Sequence, residues 1–396
     1  MWTLVAAFGA FPIALGLANV LMLLTLVLWV LGGHWQQRWQ AVKGNPVFWA
    51  ATVLYACILV GVAYTVAPAS DWKLHLGKYL KLALLGVWLT LFMAGARQRA
   101  WALNAFAAAM AFTAVSAWLN VWFQLPWSQS QNQGWGVSHH VFGDYITQNV
   151  MMAFFVLLAL YRARQEPVRW QKLAWGVMAV VAMISVTHLS EGRTGYVLLV
   201  ATIGVFVATQ LRGRQAMVAV LMAVLALGVL LTNSDAMRSR FAQAIAEAQR
   251  HDVDNTTSIG HRLYNYKTTP RLIEQAPVLG LGTGAYHTQI CHVLDDPTQC
   301  ANYAWHPHNQ YLFFAADHGL LGLGAYLALL GAMAWVAMRS KDAQARTLLL
   351  GLTALLAVNS LFNSPLWSAR ESHFFTLMAA LLVSMAWASR ATTSVK

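Results

Sequence analysis

Apolar residues fill the chain in long runs, separated by short polar stretches that carry most of its basic residues. The runs fall at about 4–16, 17–31, 47–67, 74–95, 100–123, 146–161, 172–189, 195–210, 215–232, 313–338, 346–362 and 373–389. Many approach or exceed the roughly 18–20 residues that carry a helix across a bilayer. They are continuously apolar, not alternating, which argues against a transmembrane β-barrel. The first 31 residues form one run, too long for a single comfortable crossing. Proline and glycine weaken a helix between Pro12 and Gly16, so the run is divided there. The pattern predicts an all-α polytopic membrane protein with about twelve transmembrane helices.

The polar connections fix an orientation. With both termini cytoplasmic, the inner connections are 32–46, 96–99, 162–171, 211–214, 339–345 and the tail. They hold Arg38, Lys43, Arg97, Arg99, Arg162, Arg164, Arg169, Arg212, Arg214, Arg339, Lys341, Arg390 and Lys396. The short outer connections hold only Lys73, Arg193 and Arg370, as the positive-inside rule expects. Residues 233–312 form one large outer loop, which divides the chain into spans one to nine (1–232), the loop, and spans ten to twelve (313–396). Met237, Phe241 and Ile245 repeat at helical spacing, so the loop should begin with an amphipathic helix. A second helix is expected over 260–275, broken near Pro270, followed by a tight glycine-rich loop, GLGTGAY, at 280–286. Cys291 and Cys300 lie in the same loop. Outside an inner membrane they can close a short structural disulfide; two free thiols are the alternative.

Composition narrows the class. Only 10% of the 396 residues are charged, too few to cover a water-facing surface, while 58% are hydrophobic. The net charge of +12 could suggest nucleic acid, but the basic residues are scattered between apolar runs. Orientation signals look like this, and a binding stripe does not. A cleavable signal peptide is not expected, since the first run lacks a basic start and a small-residue cleavage site.

Candidate chemistry gathers at the outer side. WHPHNQYL (305–312) sets His306 and His308 beside Asn309 where the loop enters the tenth span. A histidine there can move a proton near neutral pH; an interfacial histidine satisfied by water or a carbonyl is the plainer reading. No third ligand is evident for a metal. Arg193 in SEGRTGY (190–196) and Arg262 in GHRLYNYK (260–267) carry planar forks suited to phosphate oxygens. A salt bridge to Glu191 or a head-group anchor is the simpler role for Arg193, and a solvated charge for Arg262. His75, Lys78 and Lys81 share roughly one face and enter the outer end of the fourth span. They either snorkel to anionic lipid or cradle a lipid-linked phosphate. There is no P-loop, nucleophile elbow or zinc-protease helix.

Taken in order, SEGRTGY, RLYNYKTTPRLIEQAPVLGLGTGAY and HPHNQYLFFAADHGLLGLGAY resemble the O-antigen ligase and polymerase superfamily. The motifs cover roughly 185–340; elsewhere the resemblance is one of topology. It implies a glycan transferase of the bacterial inner membrane with a periplasmic active site and no cofactor or metal. The donor implied is a glycan on undecaprenyl pyrophosphate, and the acceptor of a ligase is a sugar hydroxyl of lipid A–core. By the same resemblance His308 would be the general base with His306 in support. Arg193 and Arg262 would hold the pyrophosphate, with Lys78 and Lys81 assisting, and Asn309 would position the acceptor. The single large, late loop favours a ligase over a polymerase, which often has two. A protein O-oligosaccharyltransferase would tend to carry an extra soluble segment. A transporter would show internal repeats with polar residues at mid-membrane, and neither is seen.

Overall fold

A computed structural model describes residues 1–218, 221, 235–249 and 257–391. Among the described residues the regular elements are all helical. Nine precede the loop: α1 (Trp2–Ala10), α2 (Leu15–Leu31), α3 (Trp35–Val42), α4 (Pro46–Gly61), α5 (Ala69–Ala94), α6 (Ala96–Leu119), α7 (Tyr145–Gln165), α8 (Arg169–His188) and α9 (Thr194–Gln210). The loop contributes α10 (Asp235–Gln249), α11 (Ser258–Ile273) and several short turns of helix. Then come α12 (Gln310–Met338), α13 (Ala343–Phe362) and α14 (Ala369–Ala391).

Among these, seven helices are long and apolar enough to cross a membrane, and the bent pair α2–α3 makes an eighth. Two apolar helices, α4 and α9, are shorter. The expected span at 215–232 lies largely outside the described residues, as do the side chains of Met237 and Phe241. Ile245, the third member of that stripe, is exposed. The expected break in the first run is present: α1 ends at Ala10, residues 11–13 form a turn, and α2 begins at Leu15. At nine residues α1 reaches about 14 Å, well short of a bilayer core. Helix α3 was not foreseen. It turns 115° from α2 and exposes Trp35 and Trp39, the habit of a helix lying in the membrane interface.

Local chemistry explains several boundaries. Asn45, Asp144, Asn309 and Asp342 each turn a side-chain oxygen onto the first free amides of the helix that follows. In α12, Gly319 at φ 59° breaks the helical ladder and leaves the carbonyls of Ala316 and Asp317 available. The GLGTG segment fills that gap. Leu281 N donates to Ala316 O at 3.1 Å, and Gly282 N donates to Asp317 O at 2.9 Å. Leu320 N in turn donates to Pro277 O at 2.8 Å. The approach is so close that a Cβ on Gly280 would collide with the Asp317 carbonyl. The large loop is thereby joined to a spanning helix by main-chain bonds.

The buried core runs the length of the bundle, with α7 and α14 the most enclosed of the long helices. Lipid offers no hydrophobic drive between helices, so close van der Waals fit must hold them. Leu157 of α7, for example, occupies the space that a Cβ on Gly351 of α13 would need.

Candidate functional site

One end of the bundle collects the polar residues singled out in the sequence. The ends of α4 and α13, the starts of α5, α12 and α14, and the loop helix α11 meet there. Phe313 of α12 packs on Tyr286 of the loop and on Trp367 ahead of α14. This aromatic layer supports the charged groups.

The His–Asn turn is held tightly. His308 adopts φ 51°, a left-handed conformation uncommon outside glycine, directly before the cap of α12. Its backbone N–H donates to His306 Nδ1 at 3.1 Å, which assigns the ring proton of neutral His306 to Nε2. The two imidazoles lie 4.2 Å apart between centroids. His261, from α11, meets His308 edge-on at 5.0 Å and stacks on Tyr303 at 4.4 Å. The Nδ1 of His308 is buried with no hydrogen-bond partner. Burial drives the basicity of His306 down to about 3, with His261, His287, Arg262 and Lys78 adding to the effect. Burial likewise lowers His308 to about 2, helped by His306, His261 and Arg262. Both rings are therefore neutral at physiological pH.

The cations take distinct places. Arg262 donates through Nε to Phe362 O at 3.0 Å and through Nη1 to Ser258 Oγ at 3.0 Å. This draws the end of α13 to α11. Lys78 lies over the rings of Trp367 and Trp305, at 5.0 and 5.7 Å. Lys81, one turn deeper, donates to Ser372 Oγ at 2.8 Å.

Arg193 is in an ion pair, with Glu247 of α10 and not with Glu191. Two parallel bonds of 2.9 and 2.7 Å join them. Glu247 also lies near enough to Arg262 to be stabilised as an anion by it. Bonding to Arg193 is the main reason that Glu247 is held below the usual carboxylate range. Its carboxylate thus stands between the two arginines.

Asn309 serves the helix first. Its Oδ1 accepts from Leu312 N at 3.0 Å, and its amide reaches Leu361 O only at 3.5 Å. Cys291 and Cys300 are joined by a disulfide beneath this region.

Several participants, His75 excepted, escaped the sequence reading. Asp317 is buried, accepts from Tyr286 N at 2.8 Å and Gly284 N at 3.2 Å, and so pins the glycine-rich loop. His75 Nδ1 lies 3.3 Å from Asp317 Oδ2, an ion-pair distance without hydrogen-bond geometry. Glu371 is also buried, receiving Asn359 Nδ2 at 2.7 Å and Asn363 Nδ2 at 3.2 Å. An acid inside an apolar run is costly unless it has a task, and that signal was present for Asp317; Glu371 sits in a polar connection, where an acid is ordinary. His261 and Trp367 carried no comparable sign.

The arrangement offers a neutral imidazole beside a group of cations that, among the described residues, have no bonded acid except at Arg193. Among the described residues, no three His, Cys, Asp or Glu side chains are arranged to hold a metal ion. A weakly nucleophilic hydroxyl could give up its proton to such an imidazole, while the cations suit a polyanionic leaving group.

None of the curated proteins compared with the chain matches it. Residues 178–327 match the family model described as O-antigen ligase. The matched stretch runs from α8 through the loop into α12, and so includes Arg193, Arg262, His306, His308 and Asp317. Residues 178–327 are thus similar to the O-antigen ligase family.

Proposed function

We propose that the protein is an O-antigen ligase, transferring a glycan from undecaprenyl pyrophosphate to a sugar hydroxyl of lipid A–core at the periplasmic face. The observation that carries this reading is the meeting of His306, His308 and Arg262, all within the segment similar to the ligase family, with Lys78 of α5 at one end of the bundle.

The acceptor hydroxyl oxygen attacks the anomeric carbon of the donor, and its proton passes to a ring nitrogen of His308. The bond from the anomeric carbon to the phosphate oxygen breaks, and its electron pair leaves with the pyrophosphate. One displacement inverts the anomeric centre. Arg262 and Lys78 offset the growing negative charge, and Lys81 adds to the field from deeper in α5. His306 supports His308 by accepting its backbone N–H. No step calls for a metal or a nucleotide.

The low basicity of His308 gives the donor a second role. A pyrophosphate beside Arg262 cancels positive charge that disfavours imidazolium, so donor binding raises the proton affinity of His308. The base becomes effective when there is a bond to break. Arg193 can join the phosphate only if its fork exchanges Glu247 for phosphate oxygens, a like-for-like replacement of one bidentate anion by another.

Reconstitution tests the proposal. Purified protein, undecaprenyl-pyrophosphate glycan and lipid A–core should yield glycosylated lipid A without nucleotide or divalent cation. A requirement for a metal would refute the mechanism. Lengthened lipid-linked glycan with lipid A–core left untouched would identify a polymerase instead.

A further inference from the structure

A polar concavity in the bundle lies far from the histidines. Helix α12 runs from the His–Asn turn to Met338, and its 29 residues span about 43 Å. Just past its far end, α6, α7, α13 and α14 enclose a cavity of about 430 Å³. Arg99, Asn104, Arg162, Asp342, Gln344 and Ser389 supply its polar walls.

Two arginines face one acid there. Arg99 is anchored by Nη1 to the carbonyls of Phe92, at 3.2 Å, and Ser384, at 3.5 Å. Arg162 donates through Nη2 to Asn104 Oδ1 at 2.5 Å and lies 4.7 Å from the Trp175 ring. Among the described residues, neither guanidinium has a bonded carboxylate. Asp342 uses its Oδ1 to cap α13, accepting from Gln344 N at 2.8 Å and Ala345 N at 3.1 Å. The forks are held by neutral acceptors, each engaging a single nitrogen of a group with five N–H donors. Asp342 offsets part of the Arg99 charge and Glu166 part of that of Arg162, but neither acid is bonded to its arginine.

We propose that this cavity binds the phosphate of an anionic phospholipid headgroup. The charge pattern of the connections expects this end of the bundle at the cytoplasmic surface, where anionic lipids are within reach. Orientation alone needs basic side chains near the surface; it does not need two of them on the walls of an inter-helical cavity. A phosphodiester matches the guanidinium forks, and the amides of Asn104 and Gln344 suit its ester and glycerol oxygens. Lipid bound there would brace α6 and α7 against α13 and α14 at the end away from the histidines. The proposal is independent of the glycan chemistry.

Native mass spectrometry of the full chain released from nanodiscs of mixed phosphatidylglycerol and phosphatidylcholine tests it. The chain should retain phosphatidylglycerol selectively. Arg99→Gln combined with Arg162→Gln should reduce the retained lipid about tenfold, the scale of losing charge-assisted bonds. Ala100→Leu, which fills the cavity from its wall and keeps both arginines, should reduce it as well, and decides the matter should the double variant fail to fold. Arg164→Gln, off the cavity, should leave retention unchanged. Undiminished retention in the cavity variants, or equal retention of phosphatidylcholine, would overturn the assignment. Excess inorganic phosphate should displace the lipid. Lipid that stays bound would shift recognition to the acyl chains and refute a phosphate site, and phosphate binding without phosphatidylglycerol retention would refute the lipid source.

Discussion

At the scale of single residues, the two ring bases and the anion between the arginines carry the sharpest expectations. His308→Ala should lower transfer by about 10²- to 10⁴-fold, the range for a positioned base, while donor binding persists. Donor glycan retained by the variant without turnover would be the signature. Because His306 and His308 are held near 3 and 2, the folded site refuses protons that the unfolded chain accepts below about 6.5. Stability should therefore be complete above that pH and fall as pH drops from 6.5 towards 3. Melting curves of the wild type and of His306→Gln should diverge only on the acid side. Glu247→Gln weakens the hold on Arg193 and should lower the donor KM if Arg193 exchanges partners; an increase would mean that Glu247 only orients the arginine. Arg193, Arg262 and the two histidines were legible in the sequence because strongly polar residues stand out beside long apolar runs. Glu247 was not, since a glutamate in a polar loop looks like any solvated charge, and its partner is 54 residues away.

At the scale of elements, the glycine-rich loop and the kink of α12 behave as one part. Gly280→Ala forces a methyl group onto the Asp317 carbonyl and strains a backbone at φ 72°. It should cost on the order of 1–3 kcal/mol and weaken transfer without touching a charged group. Protease sensitivity of 275–300 would rise if the loop lifts from α12. The disulfide closes a short loop and should contribute about 2–3 kcal/mol to local stability by limiting the unfolded chain. The pair Cys291→Ser and Cys300→Ser should lower the melting temperature more than the turnover of molecules that remain folded. Helix positions were readable because apolar length is an almost direct consequence of bilayer thickness. The α2–α3 bend and the docking of GLGTG on α12 were not. Both depend on which main-chain groups find partners in space, and hydropathy does not record that.

At the scale of the whole molecule, the bundle has a polar end with the His–Asn turn and an opposite end with paired arginines on a cavity wall. The positive-inside pattern orients it. Single cysteines introduced at exposed positions near 133 should react with a membrane-impermeant reagent in intact spheroplasts, whereas those near 166 and 213 should not. The reverse labelling would invert the topology and place the histidines on the wrong side for a periplasmic donor. The span count was the least secure product of the apolar pattern, since α1 is too short to cross alone. Conformation at His308 has a further consequence for variation at that position. Its φ of 51° suits glycine, asparagine and aspartate better than any other replacement, and none of these carries an imidazole. Side chains that preserve the ring chemistry and side chains that tolerate the backbone thus form two sets that meet only at histidine. Saturation mutagenesis should accordingly find folded but silent proteins with Asn or Gly at 308, poorly folded ones with β-branched residues, and Asp as the one replacement that keeps both the backbone and a basic group, on a shorter reach.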